Sequence, residues 1–488
     1  MATLLCAFVL ALAWAPGHCA SLARFTQRLR TSPILSSSPV NETVPRLGKL
    51  PYTSAGYVEV RSKKQQNAGR MFFVFFEAAQ HADDTTPIIL WLQGGPGCSS
   101  LFGMLYINGP CWVNEDDMSL RPNPGSWNRL FGMLFVEQPL GTGFSVPGDQ
   151  GIPRTEVEVA ADLYAGLNNW YRRYPHYQRR PLIVTGESYA GKYVPSLSHY
   201  ILQATALHQG YLSKLQHPRD IGSEVGAPLF TLGGLAIGNG WTDAPTQQLV
   251  QGEVAWSMGL IDTEQRRQVD ALSQQVVELL RSKAWTKARH LSDLANEIIT
   301  NASASATLED VRRNIGYDGT ELVDRYLNQH AVRAHLGVSP PSMRWLSCSA
   351  EVDAVLGHDI MKSVKHLVVD LLAFHPVLLY QGQFDAECGV ASNEAWIHAL
   401  PWPGHLSFNT APRTVWWVNQ RPMGYLKRHA NLWQLIVRNT GHMVPHDNPL
   451  YGQLMIERWI HEKVLRKEYK RQVSQEEEEA YIAARGPV

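Results

Sequence analysis

A serine, an aspartate and a histidine, far apart along the chain, each stand in a setting that suits acyl-transfer chemistry. Ser188 follows the apolar run Pro181-Leu-Ile-Val-Thr185 and Gly186-Glu187, and a helix-compatible run begins at Tyr189. A strand, a sharp turn and a helix in that order hold a serine hydroxyl above a sheet as a nucleophile. Glycines flank the turn because side chains there would collide with neighbouring backbone. The helix N-terminus beneath it offers backbone N–H donors to a developing oxyanion. Ala190 stands where this pattern usually has its second glycine, so a purely structural turn is the competing reading.

A serine nucleophile needs a base and an orienting acid. In this setting they come later in the chain, acid before histidine. Tyr380-Gln-Gly-Gln-Phe-Asp385 places an aspartate in a loop after a strand-like run, and Thr440-Gly-His442-Met-Val-Pro445 places a histidine after another. Open α/β sheets put their sites at such strand carboxyl ends. With 18 histidines in the chain, spacing alone singles out His442 weakly, since most histidines are surface or core residues. In Trp91-Leu-Gln-Gly-Gly-Pro-Gly-Cys-Ser-Ser100, three glycines follow a strand-like run, so backbone N–H groups there can approach a ligand closely. A phosphate loop is the competitor, but no lysine follows in the Walker position. No His/Cys pair has a recognisable metal-ligand spacing, so neither metal nor cofactor is expected.

These residues need a sheet to bring them together. Strand-like runs cover Gly56–Val60, Met71–Phe76, Ile88–Leu92, Met133–Glu137, Leu182–Thr185, Leu229–Ile237, Val377–Tyr380, Thr414–Val418 and Trp433–Val437. Between Val136 and Ile237 they alternate with helical patterns. Thr155 and Glu158 form a capping box ahead of a face of Val157, Ala161, Tyr164, Asn168 and Tyr171. The alternation predicts an α/β fold with a largely parallel, mixed sheet and an antiparallel start. From 243 to 329 the strand signal gives way to helical spacing (Val269, Leu272, Val276, Leu279, Leu280), which reads as an insertion; Asn301-Ala-Ser-Ala-Ser-Ala-Thr307 reads as an exposed loop. The expected division is a leader over 1–23, core over 24–242 and 330–466, insertion over 243–329, and a charged, solvated tail over 467–488.

The length allows a large core, and one big domain with an inserted module fits it as well as two domains. The 488 residues are 44% hydrophobic and 18% charged, which excludes a mainly disordered chain. Forty-four basic and forty-four acidic residues cancel, so no bulk positive field points to nucleic acid. Leu4–Trp14 is apolar, is too short to span a bilayer, and reads as the core of a secretory signal without a basic start, a buried N-terminal helix being the alternative. No later segment is a membrane-span candidate. With the signal removed, Cys98, Cys111, Cys348 and Cys388 remain, and spacing alone does not connect them. Asn41 and Asn301 are sequons for glycosylation.

Together, Trp91–Ser100, Gly186–Pro195 and Gly441–Pro445 resemble the serine carboxypeptidases. Phe135–Ser145 and Tyr326–Arg333 fit the same family, so the resemblance runs from about Gly56 to Arg458. The Leu-Gln-Gly-Gly-Pro-Gly and Gly-Gln-Phe-Asp forms are most similar to the vitellogenic-like branch. The resemblance implies an α/β-hydrolase fold with a helical cap matching the insertion. It implies Ser188 as nucleophile, His442 as base, Asp385 as its orienting acid, and an oxyanion hole from the N–H groups of Gly95 and Tyr189. It assigns the substrate's terminal carboxylate to Gln93, the Gly94 N–H and Glu187, and implies a Cys98–Cys348 disulfide; a Cys111–Cys388 bond is a guess from what is left.

The resemblance thus implies removal of single residues from peptide and protein C-termini through an acyl-enzyme, by a secreted or lysosomal/vacuolar protein without a cofactor; a homodimer is open. Acyl transfer to an alcohol or amine, a catalytically silent binding protein, and an esterase are the rivals. A carboxyl that must receive a carboxylate is useful only when protonated, because two anions ~3 Å apart repel. Burial of Glu187 would therefore favour peptide binding in acid. Three departures from the family pattern bear on this: Gln93 for Asn, Ile107 where relatives often carry a glutamate paired with Glu187, and Gln383 for an aspartate. Without that partner the pH response is expected to be muted.

Overall fold

The computed structural model describes residues 50–60, 67–80, 82–305, 307–471 and 473. The leader over 1–23, the sequon at Asn41 and most of the tail over 467–488 lie outside the described residues.

Within them, ten strands form one sheet and two form a small hairpin. In chain order they are β1 (Ser54–Val60), β2 (Gly69–Phe76), β3 (Ile88–Leu92), β4 (Cys111–Val113), β5 (Leu120–Pro122), β6 (Gly132–Val136), β7 (Leu182–Glu187), β8 (Leu232–Gly238), β9 (Val377–Gly382), β10 (Thr414–Val418), β11 (Arg421–His429) and β12 (Leu432–Val437). The sheet order is β1-β2-β6-β3-β7-β8-β9-β12-β11-β10. The six strands from β6 to β12 are parallel, and an antiparallel pair closes each edge.

Runs such as Ile88-Ile-Leu-Trp-Leu92 lack a polar face because helices cover both sides of a parallel sheet. Alternate side chains then enter different cores. Ile88, Leu90, Leu92, Leu182, Val184, Val377 and Leu379 enter one; Ile89, Trp91, Ile183, Leu378 and Tyr380 enter the other. Glu156–Arg173 and Ala190–Gln209 pack in the first core, Pro449–Trp459 in the second. Thr155 Oγ1 accepts from Glu158 N–H, but Glu158 reaches back to Arg154 N–H rather than to Thr155. The buried stripe of that helix is Val159, Leu163, Leu167, Trp170 and Tyr171, and Val157 is exposed, so the face read from the sequence is displaced at its start. β11 escaped the sequence reading because Pro422, Gly424 and its charged residues break the alternation that marks a strand.

Between β8 and β9 the chain leaves the sheet. Helices Ala244–Leu249, Gln251–Ser257, Thr263–Arg281 and Trp285–Ser303 bury Val269, Val276, Ala288, Ala295 and Ile299 in two small clusters. Asn301 is exposed, but it lies in the last turn of helix Trp285–Ser303 rather than in a loop, because the helix continues through the small residues to an αL cap at Ala304. Gly319–Leu327 and His330–Leu336 then pack Val323, Leu327, Val332 and Leu336 into the second main core.

Cys98 and Cys348 are joined, tying the glycine-rich loop after β3 to the start of helix Ala350–Leu356. Ser99 N–H to Ser347 O at 2.7 Å and Ser349 N–H to Gly97 O at 2.8 Å flank the bridge. The guessed Cys111–Cys388 bond is not formed: Cys111 is half-buried in β4, Cys388 is buried beside Asp385, and both are free thiols. Replacing Cys98 and Cys348 by serine is expected to lower the unfolding free energy by roughly 2–5 kcal/mol, read as a lower urea midpoint with a steeper slope, because the unfolded chain without the bridge is more expanded.

Candidate active site

β7 runs into Ser188, whose φ of +64° lies in the left-handed region that a non-glycine residue enters only when its surroundings demand it. Those surroundings are backbone bonds. Ser188 N–H donates to Gly238 O at 3.1 Å, and Ser188 O accepts from Gly191 N–H at 2.8 Å and Trp241 N–H at 2.9 Å. The loop after β3 lies directly against this turn. A methyl group on Gly94 would sit 2.6 Å from the Tyr189 nitrogen and 2.8 Å from Ser188 Cβ, so only glycine fits. Gly95 follows at φ +108°. Among the described residues, no hydrogen bond uses the N–H of Gly95 or of Tyr189.

Two strands away, Asp385 follows β9. Its Oδ2 accepts from His442 Nδ1 at 2.7 Å and from Asn239 Nδ2 at 2.7 Å; its Oδ1 accepts from the N–H groups of Glu387 (2.7 Å) and Cys388 (3.0 Å). That contact fixes the His442 tautomer with the proton on Nδ1. His442 N–H donates to Glu309 O at 2.8 Å, and Nε2 is buried and, among the described residues, has no hydrogen-bond partner, Ser188 Oγ included. Serine and histidine are nonetheless linked through neighbours: Ser188 bonds Gly238, and the next residue, Asn239, bonds the acid that holds the ring.

Glu187, the last residue of β7, is fully buried. Its Oε1 accepts from Gln93 Nε2 at 2.9 Å, and its Oε2 has no partner among the described residues. Burial pushes this carboxyl up to about 7 against the pull of His442 and Gln93, and Glu309 and Asp447 add like charge. Ile107 is buried in the second core, so it supplies no charge, yet the upward shift persists because burial dominates it. Burial opposes charge on the His442 ring, but Asp385, Glu309 and Glu187 together outweigh it and raise that pKa. Burial and Glu309 also raise Glu387, to about 7.

The structure therefore brings Gln93, Gly94, Gly95, Glu187, Ser188, Tyr189, Asp385 and His442 to one end of the sheet. Gln383 stands apart in role, its N–H donating to Val437 O at 3.2 Å. Sequence reasoning missed Asn239 and Glu309. Asn239 had a signal, a polar residue at the carboxyl end of a strand; Glu309 arrives from the insertion and had none.

Residues 48–462 match the family described as serine carboxypeptidase. The chain belongs to the serine carboxypeptidase family. It is 39% identical to serine carboxypeptidase-like 50 of Arabidopsis thaliana over 84% of this chain and 87% of that one. To the venom serine carboxypeptidase of Apis mellifera it is 33% identical over 84% of each chain, and to the probable serine carboxypeptidase CPVL of Mus musculus 30% over 90% of each. In solved structures it is similar to Kex1Δp, a prohormone-processing carboxypeptidase from Saccharomyces cerevisiae, with a TM-score of 0.70, 26% identity, and coverage of 83% of this chain and 90% of that one. The fold is that of the α/β-hydrolases, and the activity is that of a serine-type carboxypeptidase. Among the described residues no cluster could hold a metal ion, and no helix is long and apolar enough to cross a membrane.

Two sets of groups pull the stability of this carboxypeptidase in opposite directions with pH: burial lowers His199, His366, His375 and His446, whose contribution is lost as pH falls below the usual histidine range, and it raises several carboxyls. Burial raises Glu137, Glu156 and Glu187 to about 7, so each favours the folded state in its neutral form and loses that contribution as pH climbs from the usual carboxyl range through 7. The raised His442 acts in the same direction, its contribution being lost as pH rises through its folded value. Each carboxyl contributes on the order of 1–3 kcal/mol. By scanning calorimetry, the Glu137→Gln variant is expected to lose less denaturation temperature, or gain more, than the native enzyme on going from pH 5 to pH 8, since it lacks one acid-favouring contribution.

Proposed function

We propose that Ser188, His442 and Asp385 form the catalytic triad of this carboxypeptidase, and that Glu187, Gln93 and the Gly94 N–H receive the substrate's terminal carboxylate. Ser188 Oγ attacks the carbonyl carbon of the last peptide bond while His442 Nε2 takes its proton. The oxyanion settles on the N–H groups of Gly95 and Tyr189. His442 then gives the proton to the departing amino acid, leaving an acyl-enzyme that water cleaves by the reverse sequence. The observation that carries this reading is the 2.7 Å Asp385–His442 contact, beside a serine held at positive φ.

Glu187 supplies the specificity. Neutral, it can donate to a substrate carboxylate; ionised, it repels one. Residues 243–329 act as the cap over this site, and the exposed Asn301 carries a glycan. The protein travels the secretory pathway, to the exterior or to a lysosomal or vacuolar lumen, where acid keeps Glu187 neutral.

Ser188→Ala is expected to lower kcat on a blocked dipeptide by at least ~10⁴-fold and to abolish labelling by a fluorophosphonate. Labelling of the native enzyme at any residue but Ser188 overturns the assignment. KM for the same peptide is expected to rise about tenfold or more between pH 5 and 8, as Glu187 ionises. The rise should be lost in Glu187→Gln and absent for the C-terminal amide; a flat native profile removes Glu187 from the carboxylate site.

A further inference from the structure

The excursion between β8 and β9 returns to the sheet through residues 307–313, which lie across both loops that hold the Asp385–His442 pair. Leu308 O accepts from Ala386 N–H at 2.9 Å, Glu309 O from His442 N–H at 2.8 Å, and Val311 N–H donates to Phe384 O at 3.1 Å. The stretch thus bonds the residue on either side of Asp385 and the amide of His442 itself. Phe384 N–H donates in turn to Thr440 O at 2.9 Å, joining the acid and base loops to each other.

Ion pairs fasten this strap. Asp310 is fully buried and takes a two-pronged contact from Arg312, Nε to Oδ1 at 2.8 Å and Nη2 to Oδ2 at 2.6 Å. Arg312 Nη1 also reaches Asn439 Oδ1 at 2.7 Å, three residues before His442, and its guanidinium lies 4.8 Å from the ring centre of Phe384. Asp447, also buried, accepts from Gly441 N–H at 2.5 Å, Arg313 Nη2 at 3.0 Å and Tyr317 Oη at 3.1 Å. A buried carboxylate stripped of its cation is strongly destabilised where it stands, so Asp310 and Asp447 stay in place only while the arginines do.

We propose that Thr307–Arg313 is a positioning element for the reaction, in which Arg312 and Arg313 fix the orientation of His442 through Asp310, Asn439 and Asp447. The inference rests on the triad reading above. A fork rather than a point charge is required, because Arg312 spans both oxygens of Asp310 and the Asn439 amide oxygen at once. An imidazole displaced by about 1 Å costs ~10²-fold in rate without altering how substrate is held.

The test uses the full-length enzyme with Arg312→Ala/Arg313→Ala, Arg312→Lys, and Arg289→Ala as a control. Arg289 pairs with Asp353 at 2.9 Å within the same excursion and touches neither loop. Expected for the double variant is a 10–100-fold fall in kcat with KM within about twofold, and a shifted low-field proton resonance of the His442–Asp385 bond. Arg312→Lys should show the same pattern at smaller amplitude, and it decides the matter if the double variant does not fold. Arg289→Ala should keep kcat within twofold. Unchanged kcat and resonance in Arg312→Lys, or an equal loss in Arg289→Ala, overturns the proposal. The two readings fail separately: a native enzyme unlabelled at Ser188 removes the triad, whereas a labelled one with unimpaired variants removes only the strap.

Discussion

The buried carboxyl group of Asp385 is where the ends of the central strands are tied together. It accepts four hydrogen bonds, two on each oxygen, from residues that follow β8, β9 and β12. A buried carboxylate without such donors would cost several kcal/mol, so the segments that supply them are held as firmly as the group itself. Asn239 shows how far this reaches. It adopts φ +42°, donates through its side chain to Asp385, and accepts from Gly382 N–H at 3.0 Å, while its preceding neighbour, Gly238, holds Ser188 N–H. One acid therefore couples the serine turn to the histidine loop without touching the serine.

The same end of the sheet holds a second buried acid in a different setting. Among the described residues, Glu187 accepts one hydrogen bond from a side chain and has one oxygen without a partner, and burial pushes it up to about 7. Two carboxyls on neighbouring segments can take different roles when their donor sets differ this much. The contrast comes from backbone geometry: the loop after β9 turns its amides toward Asp385, whereas Glu187 ends a strand whose amides are spent in the sheet.

The sheet was legible in the sequence because most of its strands are continuous apolar runs, and β3 and β10 fall on the residues expected for them. β11 was not legible, since an edge strand with proline, glycine and charge carries no alternation, and its place is set by its antiparallel register with β12. Ser188 announced itself through local context. Asp385 and His442 had only their positions after strands, which many polar residues share, and the family resemblance singled them out. Glu309 and the Asp310–Arg312 pair were invisible, because nothing in an irregular stretch after a helix tells which loop it will lie against. Val157 misled for the opposite reason: it has the right residue type at the right spacing, but it falls ahead of the turn where the helix meets the sheet.

The glutamine that stands for asparagine at position 93 finds its explanation in Trp91. An indole N–H can only donate, and Trp91 Nε1 lies 3.1 Å from Gln93 Oε1, so the amide oxygen is assigned to the tryptophan and the NH₂ group to Glu187. The extra methylene lets one side chain reach both partners. With Oε1 of Glu187 already accepting from Gln93, a proton on the neutral carboxyl belongs on Oε2, the oxygen without a partner. The substitution thus directs the single acidic hydrogen of this pair to the atom from which the proposed recognition of a peptide terminus would proceed. It does so without the second glutamate, whose position Ile107 fills with core packing instead.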